Sequence, residues 1–408
     1  MKIIDGGVTA PKGFQAAGIR AGIKASSEKK DMAMIYSEQP AVIAGTFTRN
    51  LVKAAPVLWD RKLVEEQEAI RAVVVNTGIA NACTGTAGYE NTQKEAILAA
   101  DILGLQPEEI AIGSTGVIGK QLPMDIIEKG IRTVAPQLND SRQSSKDAAE
   151  AILTTDTKSK EAAVTVEIGG KEVTIGGICK GSGMIHPNMG TMLGYIATDA
   201  AIEKELLLEM QRELVEDTFN MVSVDGDTST NDTVLVMANG MAGNETIRTK
   251  DADYQAFREG LLYVNRALAM QIAADGEGCT RLFEVHVAGA DTKENAKILS
   301  KSVVTSSLTK AAIYGKDANW GRILCALGYA GVDFDPLKVD IALVSKAGNI
   351  EIVKDGVATD YSEEEATKIL SEDKVTAQID VHNGVEEATA WGCDLTHDYV
   401  SINADYRS

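Results

Sequence analysis

KGSGMIHPNMGTMLGYIATDA, residues 180–200, is the stretch around which the chain is organised. It is crowded with small residues, Gly181, Ser182, Gly183, Gly190 and Gly194. It also joins Gly190 to Thr191 directly before an apolar run, Met192 to Ile196, that predicts a strand. Small residues ahead of a hydroxyl leave the preceding carbonyl open to attack. A Thr hydroxyl that attacks this carbonyl turns the amide into an ester, and hydrolysis of the ester leaves a new chain beginning with Thr191. Such a residue carries its own base, because a free α-amine titrates near about 8 rather than near 10. A glycine-rich loop before a buried strand is the plain alternative, and this stretch alone leaves both open.

Working outward, 408 residues with 44% apolar and 24% charged content describe a globular chain large enough for two or three domains or one layered fold. Aromatics are few, so Ala, Val, Ile, Leu and Met must build the core. A net charge of −19 argues against nucleic acid and anionic membrane as partners. The five cysteines, Cys83, Cys179, Cys279, Cys325 and Cys393, are scattered without C-x-x-C spacing. They predict free thiols in a reducing compartment, with no zinc site or disulfide framework. The N-terminus lacks a signal-peptide pattern and no apolar run has transmembrane length, so the expected location is cytoplasmic.

Residues 1–60 look β-rich, with short strands over Ala33–Tyr36 and Ala41–Phe47. Ala72–Val75 predicts a buried strand running into NTGIANACTG, Asn76–Gly85, and then a helix from about Glu90 to Leu103. That loop is either a source of backbone N–H groups at a helix start or a plain connection. IAIGSTGVIG, Ile110–Gly119, repeats the pattern. It is not a phosphate loop: five residues separate Gly113 from Gly119, and Gln121 follows Lys120 where Ser or Thr is needed. The Thr115 hydroxyl and Gly116 N–H suit an oxyanion hole instead.

Helices are predicted over Met124–Val134, Ser141–Leu153, Ile202–Asp217, Asp251–Ala274, Glu294–Val304, Ser306–Tyr314 and Glu363–Leu370. Hairpins are predicted around Gly169–Gly170 and between Val339–Val344 and Asn349–Val353, and Val375–Val381 with Glu387–Cys393 reads as a closing strand pair. VDGDTSTNDT, Val224–Thr233, fails the EF-hand register at Thr230 and Val236 and reads as a turn bonded by its own Asp, Asn, Ser and Thr side chains. The polar, aromatic-dotted tail, Thr396–Ser408, suits packing back into a pocket. No flexible linker separates the halves around residue 190, so a cut there would leave chains of 190 and 218 residues sharing one core.

These pieces make acyl-transfer machinery in which no histidine is obligatory. Thr191 is nucleophile and base, Thr115 and Gly116 are oxyanion donors, Lys180 is a nearby cation, and Glu277 is a carboxylate in a Gly-rich loop. No metal spacing joins His186, His286, His382 and His397; His186 is left open, being close to the scissile bond in sequence.

Eight motifs in order, NTGIANACTG, GSTGVIG, TTDT, KGSGMIHPNMGTMLGYIATDA, VDGDTSTNDT, GEG, DANWGRI and NADYRS, resemble the ornithine acetyltransferase (bifunctional glutamate N-acetyltransferase) family of arginine biosynthesis over essentially the whole chain. The resemblance implies an α/β fold, an αββα sandwich like that of N-terminal-nucleophile hydrolases but with its own topology. It implies self-cleavage between Gly190 and Thr191 into an alpha chain, 1–190, and a beta chain, 191–408, that pair in an α2β2 assembly, with the tail 396–408 closing the site. The implied reaction is ping-pong: Thr191 takes acetyl from N2-acetylornithine and passes it to glutamate. The implied oxyanion pair is Thr115 and Gly116. The implied substrate-binding positions are Thr154, Lys180, Thr191, Glu277, Asn403 and Ser408, the last commonly Thr in the family. No cofactor or metal is expected, and acetyl-CoA is a candidate second donor. An autoprocessed aminopeptidase or amidase, with water as acceptor, is the alternative. The base that starts self-cleavage stays open, because the Thr191 amine is then still an amide.

Overall fold

Runs of Val, Ile, Ala and Gly make strands that alternate with amphipathic helices, and the strands sort into two sheets. A computed structural model of the chain describes residues 1–25, 27–186 and 192–405. Up to residue 198 the strands are β1 (Lys2–Ile4), β2 (Phe14–Ile19), β3 (Met32–Phe47), β4 (Ala69–Ile79), β5 (Ile110–Val117), β6 (Lys160–Ile168), β7 (Lys171–Lys180) and β8 (Leu193–Thr198). After it come β9 (Val222–Ser223), β10 (Thr233–Ala238), β11 (Leu282–Ala290), β12 (Asp340–Ser345), β13 (Gly348–Lys354), β14 (Val357–Ala358), β15 (Lys374–Asp380) and β16 (Glu386–Cys393). The first sheet runs β1-β6-β7-β8-β10-β3-β4-β5, with β2 also on β3, and the second runs β14-β13-β12-β15-β11-β16-β9.

The helices are α1 (Ala55–Glu66), α2 (Gly85–Leu103), α3 (Met124–Val134), α4 (Arg142–Ala151), α5 (Lys204–Glu216) and α6 (Ala252–Ala273). They continue with α7 (Lys293–Thr305), α8 (Ser307–Gly315), α9 (Trp320–Gly328), α10 (Glu363–Leu370) and α11 (His397–Asp405). The two-residue side-chain period of the central strands serves two cores. Leu193, Tyr195, Ala197, Leu235 and Met237 pack with the apolar residues of α1 to α4. Ile196, Val234, Val236 and Ala238 pack into the core that includes α5, α6 and the second sheet. Each such buried Leu, Ile or Val contributes roughly 1.5–3 kcal/mol, which is what anchors the loops at the strand ends. The chain is thus a mixed α/β protein with two sheets and no barrel, as the fold class predicts. Among the described residues no helix is long and apolar enough to cross a membrane.

Three expectations change. The two short strands expected within residues 33–47 are one strand, β3, whose register on β4 shifts between Tyr36 and Ala41. The β-rich reading of residues 1–60 stops at Ala54: α1 follows, with Pro56 in its first turn, where a missing N–H breaks no helical bond. And β15 and β16 do not pair with each other. Both pair with β11 between them, β15 parallel and β16 antiparallel. The link between them wraps the end of β11, where Val381 N–H and Asn383 N–H donate to the Ala288 and Gly289 carbonyls.

Candidate active site

The parallel strands β4 and β5 end side by side, and their ends approach too closely for side chains. Gly116, with φ of +130°, pairs with Gly78, and a Cβ there would lie 2.3 Å from the Gly78 carbonyl carbon. This glycine step puts Thr115 and Gly116 on the wall of a cavity of about 140 Å3. The end of β7 brings Lys180 to the same cavity, the turn after α4 brings Thr154 and Thr155, and the turn after α6 brings Glu277. Residues Ser229–Asp232 and Met192–Leu193 complete the wall, and Asn403 reaches it from α11. So Thr115, Gly116, Thr154, Lys180, Glu277 and Asn403, gathered from five places in the sequence, line one pocket. Gly190, Thr191 and Ser408 lie outside the described residues; Met192, next after Thr191, lines the pocket.

A buried ionic network lies beside Lys180. Lys160 Nζ is 2.8 Å from Asp156 Oδ1 and 2.6 Å from Asp275 Oδ2, and Lys180 Nζ is 3.8 Å from Asp156 Oδ2. Asp275 also accepts the Thr157 N–H at 3.0 Å and the Thr157 hydroxyl. Its carbonyl accepts the Ser182 hydroxyl at 2.8 Å. Burial alone would raise the Asp156 carboxyl, but the Lys180 and Lys160 ammoniums outweigh it and hold it below the usual carboxylate range. Burial would likewise lower the Lys160 ammonium, and Asp156 and Asp275 outweigh it and raise it. Burial pushes the neighbouring Cys179 thiol up to about 12, which leaves it unreactive. Lys24 donates to the Leu153 carbonyl at 2.6 Å, and burial brings its ammonium down to about 8 against the opposing pull of Asp31.

Glu277 rests against Gly183, where any Cβ would lie 2.3 Å from the carboxylate. Asn403 Nδ2 donates to Glu277 Oε2 at 2.7 Å. Gly278, with φ of +68°, lets the backbone of α11 come close; a Cβ would lie 2.6 Å from the Tyr399 nitrogen. The tail expected over the pocket is therefore helical over His397–Asp405 and docked on the Gly-Glu-Gly turn, with Thr396 Oγ1 donating to the Gly278 carbonyl at 2.7 Å.

The VDGDTSTNDT turn holds the chain on both sides of residues 187–191. Asp225 accepts the Met184 and Ile185 N–H groups at 2.6 and 2.8 Å, and Thr228 Oγ1 donates to the His186 carbonyl at 2.8 Å. Downstream, Thr233 N–H donates to the Met192 carbonyl at 2.9 Å. Asn231 Nδ2 crosses to the Ala80 and Ser114 carbonyls at 2.6 and 2.8 Å and so ties the turn to β5 and to the chain after β4. His186 Nδ1 faces Ser223 Oγ at 3.1 Å. Burial and then Lys301 bring its ring down to about 4, so it is neutral near pH 7. The TTDT motif contained Asp156, but the sequence gave no sign that it and Asp275 both meet Lys160. Lys24 and the cross-connection of Asn231 carried no sequence signal either.

A two-sheet α/β scaffold that gathers Thr115, Gly116, Lys180 and Glu277 around one cavity of about 140 Å3 has the layout of an acyl-transfer enzyme. A family model, the ArgJ family, matches residues 15–408. The arginine biosynthesis bifunctional protein ArgJ of Symbiobacterium thermophilum is 52% identical over 409 residues, covering 100% of both chains. ArgJ 1 of Clostridium acetobutylicum is 50% identical, covering 97% of this chain and 96% of its own. The crystal structure of the arginine biosynthesis bifunctional protein ArgJ from Bacillus halodurans is 46% identical with a TM-score of 0.51, covering 53% of this chain and 100% of that one. The chain belongs to the ArgJ family. It is an acyltransferase of arginine biosynthesis, and the aminopeptidase alternative is not favoured.

Proposed function

We propose that the chain cleaves itself between Gly190 and Thr191 and then moves acetyl groups from N2-acetylornithine to glutamate through an ester on Thr191. The observation that carries this reading is the convergence of Thr115, Gly116, Thr154, Lys180, Glu277 and Asn403 on one cavity, with Met192, the residue after the nucleophile, in its wall. In the first half-reaction the Thr191 hydroxyl attacks the acetyl carbonyl and its α-amine takes the hydroxyl proton. The proton passes to the leaving nitrogen as the amide C–N bond breaks, and ornithine departs. In the second, the glutamate ammonium gives one proton to the Thr191 α-amine, the freed amine attacks the ester, and as the C–O bond breaks its second proton passes to the Thr191 oxygen. Thr115 Oγ and the Gly116 N–H meet the oxyanion that forms in both halves. Lys180 receives the substrate carboxylate and Glu277 the ammonium. Thr154 supplies a hydroxyl, and the tail with Asn403 and Ser408 keeps water from the ester.

A boundary at Gly190 is supported by chain lengths. The Bacillus halodurans chain is matched over its whole length by 53% of this one, and residues 191–408 are 218 of 408, the same share. The reading includes two copies of each chain in an α2β2 assembly in the cytoplasm. It also includes a second activity, acetylation of glutamate by acetyl-CoA with release of free thiol, in keeping with the bifunctional names of the relatives. No cofactor takes part.

Intact-mass analysis and acetyl-transfer assays of the wild type and Thr191→Ala test the reading together. The wild type is expected as chains of 190 and 218 residues with glutamate-dependent transfer, and the variant as one uncut, inactive chain. Full transfer by Thr191→Ala would remove the nucleophile. Acetyl release that ignores glutamate would replace the transferase with an amidase.

A further inference from the structure

Asp156 is fully buried beside the pocket and holds several of its parts at once. Oδ1 accepts Lys160 Nζ at 2.8 Å and the Gly181 N–H at 2.7 Å. Oδ2 accepts the Thr154 N–H at 3.1 Å and stands 3.8 Å from Lys180 Nζ. One carboxylate therefore fixes the main chain of a pocket residue, the main chain just after Lys180, and the Lys180 side chain. A lysine reaches its ligand on a flexible four-carbon stem, and its ordering opposes binding unless something else imposes it. At 3.8 Å Asp156 attracts the ammonium without saturating it, because this exceeds hydrogen-bond length. Asp275, at 2.6 Å, takes much of the charge of Lys160, so Asp156 is left to be shared with Lys180.

We propose that Asp156 is a positioning residue that holds the Lys180 ammonium where a substrate α-carboxylate is received, and thereby sets the affinity for both amino-acid substrates. This rests on the assignment of Lys180 to the substrate carboxylate made above. A carboxylate that merely braced the fold would act on every substrate alike. One that places Lys180 acts only on substrates with a carboxylate for Lys180 to meet.

The test is steady-state kinetics of Asp156→Asn with N2-acetylornithine, with glutamate, and with N-acetylputrescine, which is the same donor without its α-carboxylate. Both amino-acid KM values are expected to rise about tenfold or more, with kcat changed less than about threefold. The variant and the wild type should share one kcat/KM for N-acetylputrescine. Unchanged KM values, or an equal loss with the carboxylate-free donor, would overturn the proposal. Should the single variant not fold, Asp156→Glu keeps the charge beside Lys160 but moves the carboxylate by one methylene, and it is expected to show the same KM pattern. Lys180→Met separates the two ideas. If it leaves both KM values unchanged, the assignment of Lys180 fails; if it raises them while Asp156→Asn does not, only the positioning role fails.

Discussion

Two pairs of buried carboxyls sit in opposite surroundings. Asp60 on α1 and Glu95 on α2 are buried under the first sheet's helices, and the described residues place no cation beside them. Asp60 Oδ1 accepts the Ile112 N–H at 2.9 Å, but its other oxygen and both oxygens of Glu95 have no hydrogen-bond partner among the described residues. Burial pushes Glu95 up to about 8 and Asp60 well above its ordinary value. Asp156 and Asp275, equally dry, share Lys160, and Asp156 is driven the other way. Burial alone turns a carboxyl into a neutral group; a charge survives only where the fold brings a cation to it. Among the described residues the protein provides that cation next to the pocket and places none beside Asp60 and Glu95.

The largest effect on this contrast should come from Lys160→Met. It strands Asp156 and Asp275 without their shared cation and is expected to destabilise the protein by about 3–5 kcal/mol in denaturant unfolding. A loss below about 1 kcal/mol would put the paired carboxyls in the same class as the unpaired ones. Next, Thr115→Ala should raise the barrier to transfer by about 3 kcal/mol while unfolding stability stays near that of the wild type. A normal turnover rate would show that the pocket wall serves only structure.

The smallest effect sharpens the unpaired side. Glu95 has a folded pKa of about 8 against an ordinary 4.5, so the folded state keeps a proton that the unfolded state releases. Its contribution is intact below pH 4.5 and is lost as pH rises through about 8. Asp156 has the reverse sign: its contribution holds above the ordinary carboxylate range and is lost only in stronger acid, as its lowered folded value is crossed. Glu95→Gln should therefore flatten the decline in stability between pH 5 and 8, while changing stability at pH 5 by no more than about 1 kcal/mol. An unchanged pH slope would show that Glu95 is not the buried acid responsible.

Most elements were legible because their apolar periods are regular: α3 matches its predicted bounds, and α10 does too. The exceptions have local causes. Pro56 reads as a breaker but sits where a helix tolerates it, and β15 and β16 look like neighbours in sequence because nothing local reveals that β11 enters between them. The pocket residues were legible through family motifs rather than spacing. Lys160 and Asp275 are 115 positions apart, and Asn231 and Ser114 are 117 apart, so neither contact leaves a mark on any window of sequence.

The order of the first sheet has a kinetic consequence for a chain cut after Gly190. The strands before the cut, β7 and β3, flank the strands after it, β8 and β10. β8 is hydrogen-bonded to β7 on one side and to β10 on the other, and β10 continues to β3. Within the first sheet the later piece therefore has no free edge along which to peel away. Partner exchange between cleaved molecules should be as slow as global unfolding, so isotopically labelled and unlabelled protein, mixed in the native state, would keep their original pairings.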